Sequence, residues 1–158
     1  MSEVELGELY QEVILDHNKR PRNFGRPEGA NRYSHGVNPV CGDNYHLYLQ
    51  VGGDGVIQKI GFEGAGCAIS KSSASMMTEA VKGLPAAEVG VLKDRFLKLL
   101  TTDASGEVRK GVGRLKLFEG VKNFPVRVKC ATLIWRALED ALAGPAGGHT
   151  DVTTEELQ

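Results

Sequence analysis

Tyr45-His46-Leu47-Tyr48-Leu49-Gln50-Val51-Gly52-Gly53-Asp54-Gly55-Val56-Ile57-Gln58-Lys59-Ile60-Gly61-Phe62-Glu63 decides the fold class. Tyr45, Leu47, Leu49 and Val51 alternate with His46, Tyr48 and Gln50, the two-residue period of a strand with one buried face. Residues 52–55 supply glycines that accept positive φ, and the alternation resumes over 56–63. The stretch therefore reads as an antiparallel hairpin.

Upstream, residues 23–39 carry Gly25, Pro27, Gly29, Gly36 and Pro39 and read as loop with at most one short strand near Tyr33. Before them Leu6, Leu9, Tyr10, Val13, Ile14 and His17 recur at helical spacing until Pro21 ends the run. Downstream, Gly64-Ala65-Gly66-Cys67 breaks the second strand. Ile69, Ser73, Met76, Met77 and Ala80 then share a helix face that Gly83 and Pro85 terminate, and Val89, Leu92, Phe96 and Leu99 mark another helix. Residues 101–122 lack clear periodicity and read as an ordered loop or short helical pieces. Pro125 suits the first turn of a last helix with Val126, Cys130, Leu133, Ile134, Ala137, Leu138 and Ala141 on its apolar face. Strands come first and helices later, so the expectation is a single α+β domain over 1–144. Its sheet should be small and antiparallel, with about three strands covered by helices, and 145–158 should be a flexible polar tail.

At 158 residues, 41% hydrophobic and 25% charged, the chain can bury one core. Nineteen Lys or Arg against 20 Asp or Glu leave a net charge of −1, which gives no general attraction to nucleic acid or to an anionic membrane. No apolar run approaches the roughly 20 residues of a membrane span, and Glu3 and Glu5 stand where a signal peptide would be basic. A cytoplasmic location is the expectation. There, three cysteines stay reduced, which makes metal binding or catalysis the question to ask of them.

Cys41-Gly42-Asp43 lies in a turn between Asn38-Pro39 and the first strong strand, so two ligands can come from one turn. Cys67 stands at a helix N-terminus, where free amides favour a thiolate. Cys130 is read into the first turn of the last helix, with the same benefit. Three thiolates and a carboxylate form a tetrahedral set for Zn²⁺, and the carboxylate points to an exchangeable site. The gaps of 26 and 63 residues between the cysteines leave a second reading open: three unrelated core thiols, with Asp43 a turn former. His17, His35, His46 and His149 show no short paired spacing with a cysteine. Lys129 is either a solvated helix residue or a charge that lowers the pKa of Cys130.

Three segments together resemble the IscU/NifU-like iron-sulfur cluster assembly family. The first joins Leu9-Tyr10, Ile14-Leu15-Asp16-His17, Pro21-Arg22-Asn23 and Asn38-Pro39-Val40-Cys41-Gly42-Asp43. The second is Gly64-Ala65-Gly66-Cys67-Ala68-Ile69-Ser70 with Ser72, Ser73 and Ser75, and the third runs from Phe124-Pro125-Val126-Arg127 through Val128-Lys129-Cys130 to Leu133. Within that family the chain resembles the SufU type. Lys129 stands where scaffolds carry a histidine, Asn123-Phe124-Pro125-Val126-Arg127 replaces their Leu-Pro-Pro-Val-Lys sequence, and 101–122 occupies the place of the SufU insertion.

The resemblance implies a zinc-dependent, sulfurtransferase-like acceptor that takes persulfide sulfur from a cysteine desulfurase of the SufS type and serves downstream cluster-assembly proteins. It implies Cys41, Asp43, Cys67 and Cys130 as zinc ligands, Cys41 as the acceptor thiol, and Arg127 with Lys129 as partner-binding residues. The alternative is an IscU-like scaffold in which the same thiolates hold iron or a transient iron-sulfur cluster. Ten Lys or Arg against four Asp or Glu over 93–129 suit either a docking face or a solvated one.

Overall fold

Tyr45, Leu47 and Leu49 are fully buried while His46 and Tyr48 lie on the opposite face, so the alternation does build a central strand. The computed structural model describes residues 3–102, 106–144 and 151–154. Strand β2 (Asp43–Val51) pairs antiparallel with β3 (Ile57–Ala65), setting Leu47 opposite Phe62 and Tyr45 opposite Gly64. Gly64 has φ +133°, and a Cβ there would lie 2.1 Å from the carbonyl oxygen of Asn44, so only glycine fits this crossing.

On the other side of β2 lies β1 (Arg32–Asn38), a seven-residue strand where only a short one was expected. Its inward residues are Ser34, Gly36 and Asn38, small or polar side chains that give no hydrophobic alternation. Gly36 leaves room for the last helix: a Cβ there would meet Leu133 Cδ1 at 3.2 Å. The sheet also has a fourth strand, β4 (Asp151–Thr153), which pairs parallel to β1 and gives the order β3-β2-β1-β4. The sheet is therefore mixed, and residues 151–154 of the expected tail are instead strand and buried Thr154, because the free edge of β1 offers them backbone partners. The remaining tail positions lie outside the described residues.

Helices α1 (Glu3–Lys19), α2 (Ala68–Val81), α3 (Ala86–Thr101), α4 (Gly106–Val112) and α5 (Pro125–Ala143) complete the α+β fold, with a 3-10 helix at Gly113–Val121. Leu115, Phe118 and Val121 of that 3-10 helix are buried at a spacing of three, the period of 3-10 geometry, which a search for helical spacing of 3.6 passes over. Phe118 meets Phe96 edge-on, and Phe96 stacks on Trp135 at 4.8 Å, tying this segment and α3 to α5 in one core. Helix α5 packs on β1, β2 and α2, and α1 packs on α2. No helix among the described residues is long and apolar enough to cross a membrane.

Candidate metal centre

Asn38 and Asp43 are the closing pair of the β1–β2 hairpin, so residues 39–42 form its tip. Gly42, at φ +71°, makes the turn and carries Cys41 back toward Asp43. Cys41 is partly exposed at the tip, whereas Asp43 is fully buried as the first residue of β2. Cys130, 2% exposed, reaches them from α5, and ligand atoms of Cys41, Asp43 and Cys130 all lie within 4.8 Å of one another. The Cys130 thiol donates to Cys41 Sγ at 3.2 Å.

Cys67 caps the N-terminus of α2. Its backbone amide donates to Asp43 Oδ1 at 2.8 Å, and its Sγ accepts from the Ser70 amide at 3.4 Å. Its sulfur stands outside the 4.8 Å group but within hydrogen-bonding influence of Cys130. The four residues singled out in the sequence thus gather as three plus one.

The two helix cysteines differ electrostatically. Cys67 is held well below the ordinary thiol range, first by the hydrogen bond from Cys130 and then by the Ser70 amide and hydroxyl, against the opposing effect of burial. Cys130 is pushed up, because its proton serves Cys67, because it is buried, and because Cys41 takes a hydrogen bond from it. The stabilised thiolate expected at Cys130 is therefore absent: it is the sixth residue of α5, beyond the first turn whose amides are free.

Asp43 is cradled without a counter-charge. Oδ1 accepts from the Cys67 amide and from Ser70 Oγ at 3.0 Å, and Oδ2 accepts from Asn38 Nδ2 at 3.1 Å. Tyr45 Oη and Ser70 Oγ are hydrogen-bonded to each other at 2.9 Å. Burial, the largest influence on it, raises the Tyr45 pKa and keeps its hydroxyl protonated. No lysine or arginine forms an ion pair with Asp43 among the described residues. Gly66 is part of the cradle as well: a Cβ would lie 2.5 Å from Asp43 Oδ1, 2.6 Å from Ser70 Oγ and 2.7 Å from Tyr45 Oη.

This donor set fits a divalent cation. A buried carboxylate lacking a cationic partner and a buried thiol that holds its proton are both groups that a metal ion would neutralise. Two thiolates on one tetrahedral zinc lie about 3.8 Å apart, comparable to the spread of the cluster. No histidine among the described residues joins it. His17 is buried and bonds Ser75 Oγ through Nδ1 at 2.7 Å, while His35 and His46 stack at 4.4 Å on the outer sheet face. His149 lies outside the described residues.

Arg127 lies over the exposed Phe124 ring at 4.5 Å, and Val126 and Val40 are exposed nearby in sequence to Cys130 and Cys41. Lys129 lines a groove together with Thr101, Thr102, Lys122 and Asn123, and the neighbours that act on Cys130 are Cys67, Cys41 and Asp43. Part of the basic excess over 93–129 is spent internally, since Arg109 pairs with Glu119 and Lys93 with Glu139 and Asp94.

Residues 9–143 match the NifU-like N terminal domain. The chain belongs to that family. Two relatives show the breadth of the NifU-like group around it. The zinc-dependent sulfurtransferase SufU of Bacillus subtilis is 38% identical over 144 residues, 91% of this chain and 96% of that protein. The iron-sulfur cluster assembly scaffold protein IscU of Streptococcus pyogenes is also 38% identical, over 153 residues, 96% of this chain and 94% of that protein. A crystal structure from Fervidobacterium islandicum, assigned as a cluster assembly scaffold for the SUF system, superposes with a TM-score of 0.76 at 35% identity, covering 85% of this chain and 97% of that one.

Proposed function

We propose that this protein is a zinc-dependent sulfur acceptor for iron-sulfur cluster assembly, with Cys41, Asp43, Cys67 and Cys130 as metal ligands and Cys41 as the acceptor. The observation that carries this reading is the asymmetry of the cluster: a buried Asp43 and Cys130 lie within 4.8 Å of a partly exposed Cys41 on a hairpin tip. Donors so close together suit a single ion, whereas two sulfide-bridged irons need their ligand pairs spread across the cluster. Zinc, when bound, supplies the positive charge that keeps thiols ionised at neutral pH.

Each donor has its own task. Cys130 and Asp43 are fixed by α5 and by the Ser70, Cys67 and Asn38 donors, and Cys67 is fixed by its cap. Cys41 alone sits on a loop, so it alone can reach a partner's active site. Its thiolate attacks the outer sulfur of a persulfide on a cysteine desulfurase. The new bond joins Cys41 Sγ to that sulfur, the desulfurase S–S bond breaks, and the desulfurase cysteine leaves as a thiolate. The exposed apolar side chains of Val40, Phe124 and Val126, with Arg127 among them, form the docking patch, and Lys129 contributes at its edge. A SufS-type desulfurase, downstream cluster-assembly proteins and a cytoplasmic setting follow from the same reading.

The test is to mix the purified protein with a SufS-type desulfurase and cysteine, then map persulfide by mass spectrometry alongside metal analysis. Bound zinc at about one per chain with sulfur on Cys41 is expected. Sulfur confined to Cys67 or Cys130 would rule out Cys41 as acceptor. The scaffold reading draws on the equal identity to the Streptococcus pyogenes protein. It predicts a brown cluster that transfers to an apo-protein, and that outcome would displace the acceptor reading.

A further inference from the structure

Asn38 is fully buried beside two ligand atoms of the proposed site. Its side-chain amide donates one proton to Asp43 Oδ2 at 3.1 Å and the other to Cys130 Sγ at 3.4 Å. Three thiolates and a carboxylate around a divalent cation leave two negative charges in excess, and donors aimed at the ligand atoms are what disperses such charge. Asn38 supplies two of them from one rigid group at the end of β1.

An asparagine amide can serve this role only with its nitrogen toward the site, which requires a donor for the oxygen on the far side. Thr154, also buried, meets that need: its hydroxyl donates to Asn38 Oδ1 at 3.1 Å. Thr154 follows directly on β4, which sets it in place by pairing alongside His35, Gly36 and Val37 of β1. A chain of contacts therefore runs from the C-terminal strand through Thr154 and Asn38 to Asp43 and Cys130.

We propose that Asn38 is a positioning residue of the metal centre, and that Thr154, delivered by β4, holds its amide in the orientation that donates to Asp43 and Cys130. This rests on the metal-site reading above. Losing the Thr154 hydroxyl leaves a buried carbonyl oxygen without its donor, and turning the amide to rescue it would set that oxygen against Asp43.

Cobalt-substituted protein reports on this directly, because the thiolate-to-cobalt absorption bands respond to hydrogen bonds at sulfur, and zinc competition against a chelator gives affinity. Asn38→Ala should shift the bands and weaken zinc binding about tenfold or more. Thr154→Val should shift the bands the same way with a smaller loss, Thr154→Ser should restore the wild-type spectrum, and Thr154→Val should add nothing once Asn38 is alanine. Circular dichroism melting of each metal-free variant identifies loss of fold, and the conservative Thr154 pair carries the test if Asn38→Ala does not fold. An unchanged spectrum in Thr154→Val, or an equal Thr154→Val effect with Asn38 absent, would overturn the inference while leaving the metal site intact. A wild-type protein that binds neither cobalt nor zinc would remove both.

Discussion

Cys67 and Cys130 each come from a helix that packs into the same corner of the sheet, yet they are prepared in opposite ways. Cys67 caps α2 and accepts hydrogen bonds from a free amide, so its sulfur is ready to be a thiolate. Cys130 sits a turn deeper in α5, where the amides are spent on the helix, and it keeps a proton that it shares with Cys67 and Cys41. Distance from the helix start of a few residues separates an electrophile's target from a ligand that waits for a cation.

The largest test of that contrast is chemical. In metal-free protein, a brief pulse of alkylating reagent at neutral pH followed by peptide mapping should label Cys67 at least about 100-fold faster than Cys130, since both ionisation and access favour it. Equal rates would break the comparison. Gly66→Ala comes next. Its methyl would displace Asp43, Ser70 and Tyr45 together, so loss of zinc to a chelator and a destabilisation of about 2 kcal/mol are expected, measured by competition and by urea unfolding. Retention of wild-type zinc affinity would show that the Asp43 cradle is not needed.

Ser70→Ala sharpens the contrast from one side only. It removes a hydroxyl from Cys67 and Asp43 but nothing from Cys130, so the pH midpoint for Cys67 alkylation should rise while Cys130 stays slow. About 1–2 kcal/mol of stability should go with it. The smallest effect lies away from the cysteines. Burial, aided by Arg22, lowers the His17 pKa, so the unfolded chain takes up a proton near 6.5 while the folded chain still resists it. Stability is then complete above pH 6.5 and declines as pH falls below it. His17→Gln should flatten that decline in metal-free protein, leaving the thiol contributions to be read alone; an unaltered slope would assign it elsewhere.

Legibility in the sequence followed the size and polarity of the inward side chains. The hairpin of β2 and β3 was readable because Tyr45, Leu47, Leu49 and Phe62 fill the core. Strand β1 reads as loop with at most a short strand near Tyr33 because Ser34, Gly36 and Asn38 fill the corresponding places, and β4 falls within the expected polar tail because three residues on a sheet edge carry no pattern. At the site, the four donor residues announced themselves by type. Gly66, Ser70, Tyr45 and Asn38 did not, since a glycine in a turn, a serine near a cap, a core tyrosine and an asparagine before proline all have ordinary local explanations.

By itself the sequence determined the α+β pattern, the hairpin, the helix that begins after Cys67, and a set of donor residues on three segments. Those are consequences of local periodicity and turn chemistry. Only the tertiary structure decided which donors meet and which keep their protons, because these depend on partners far apart in the chain: Cys41 and Cys130 are separated by 89 positions, and Asn38 and Thr154 by 116. Burial and hydrogen bonding sum over such neighbours, and no local pattern contains them.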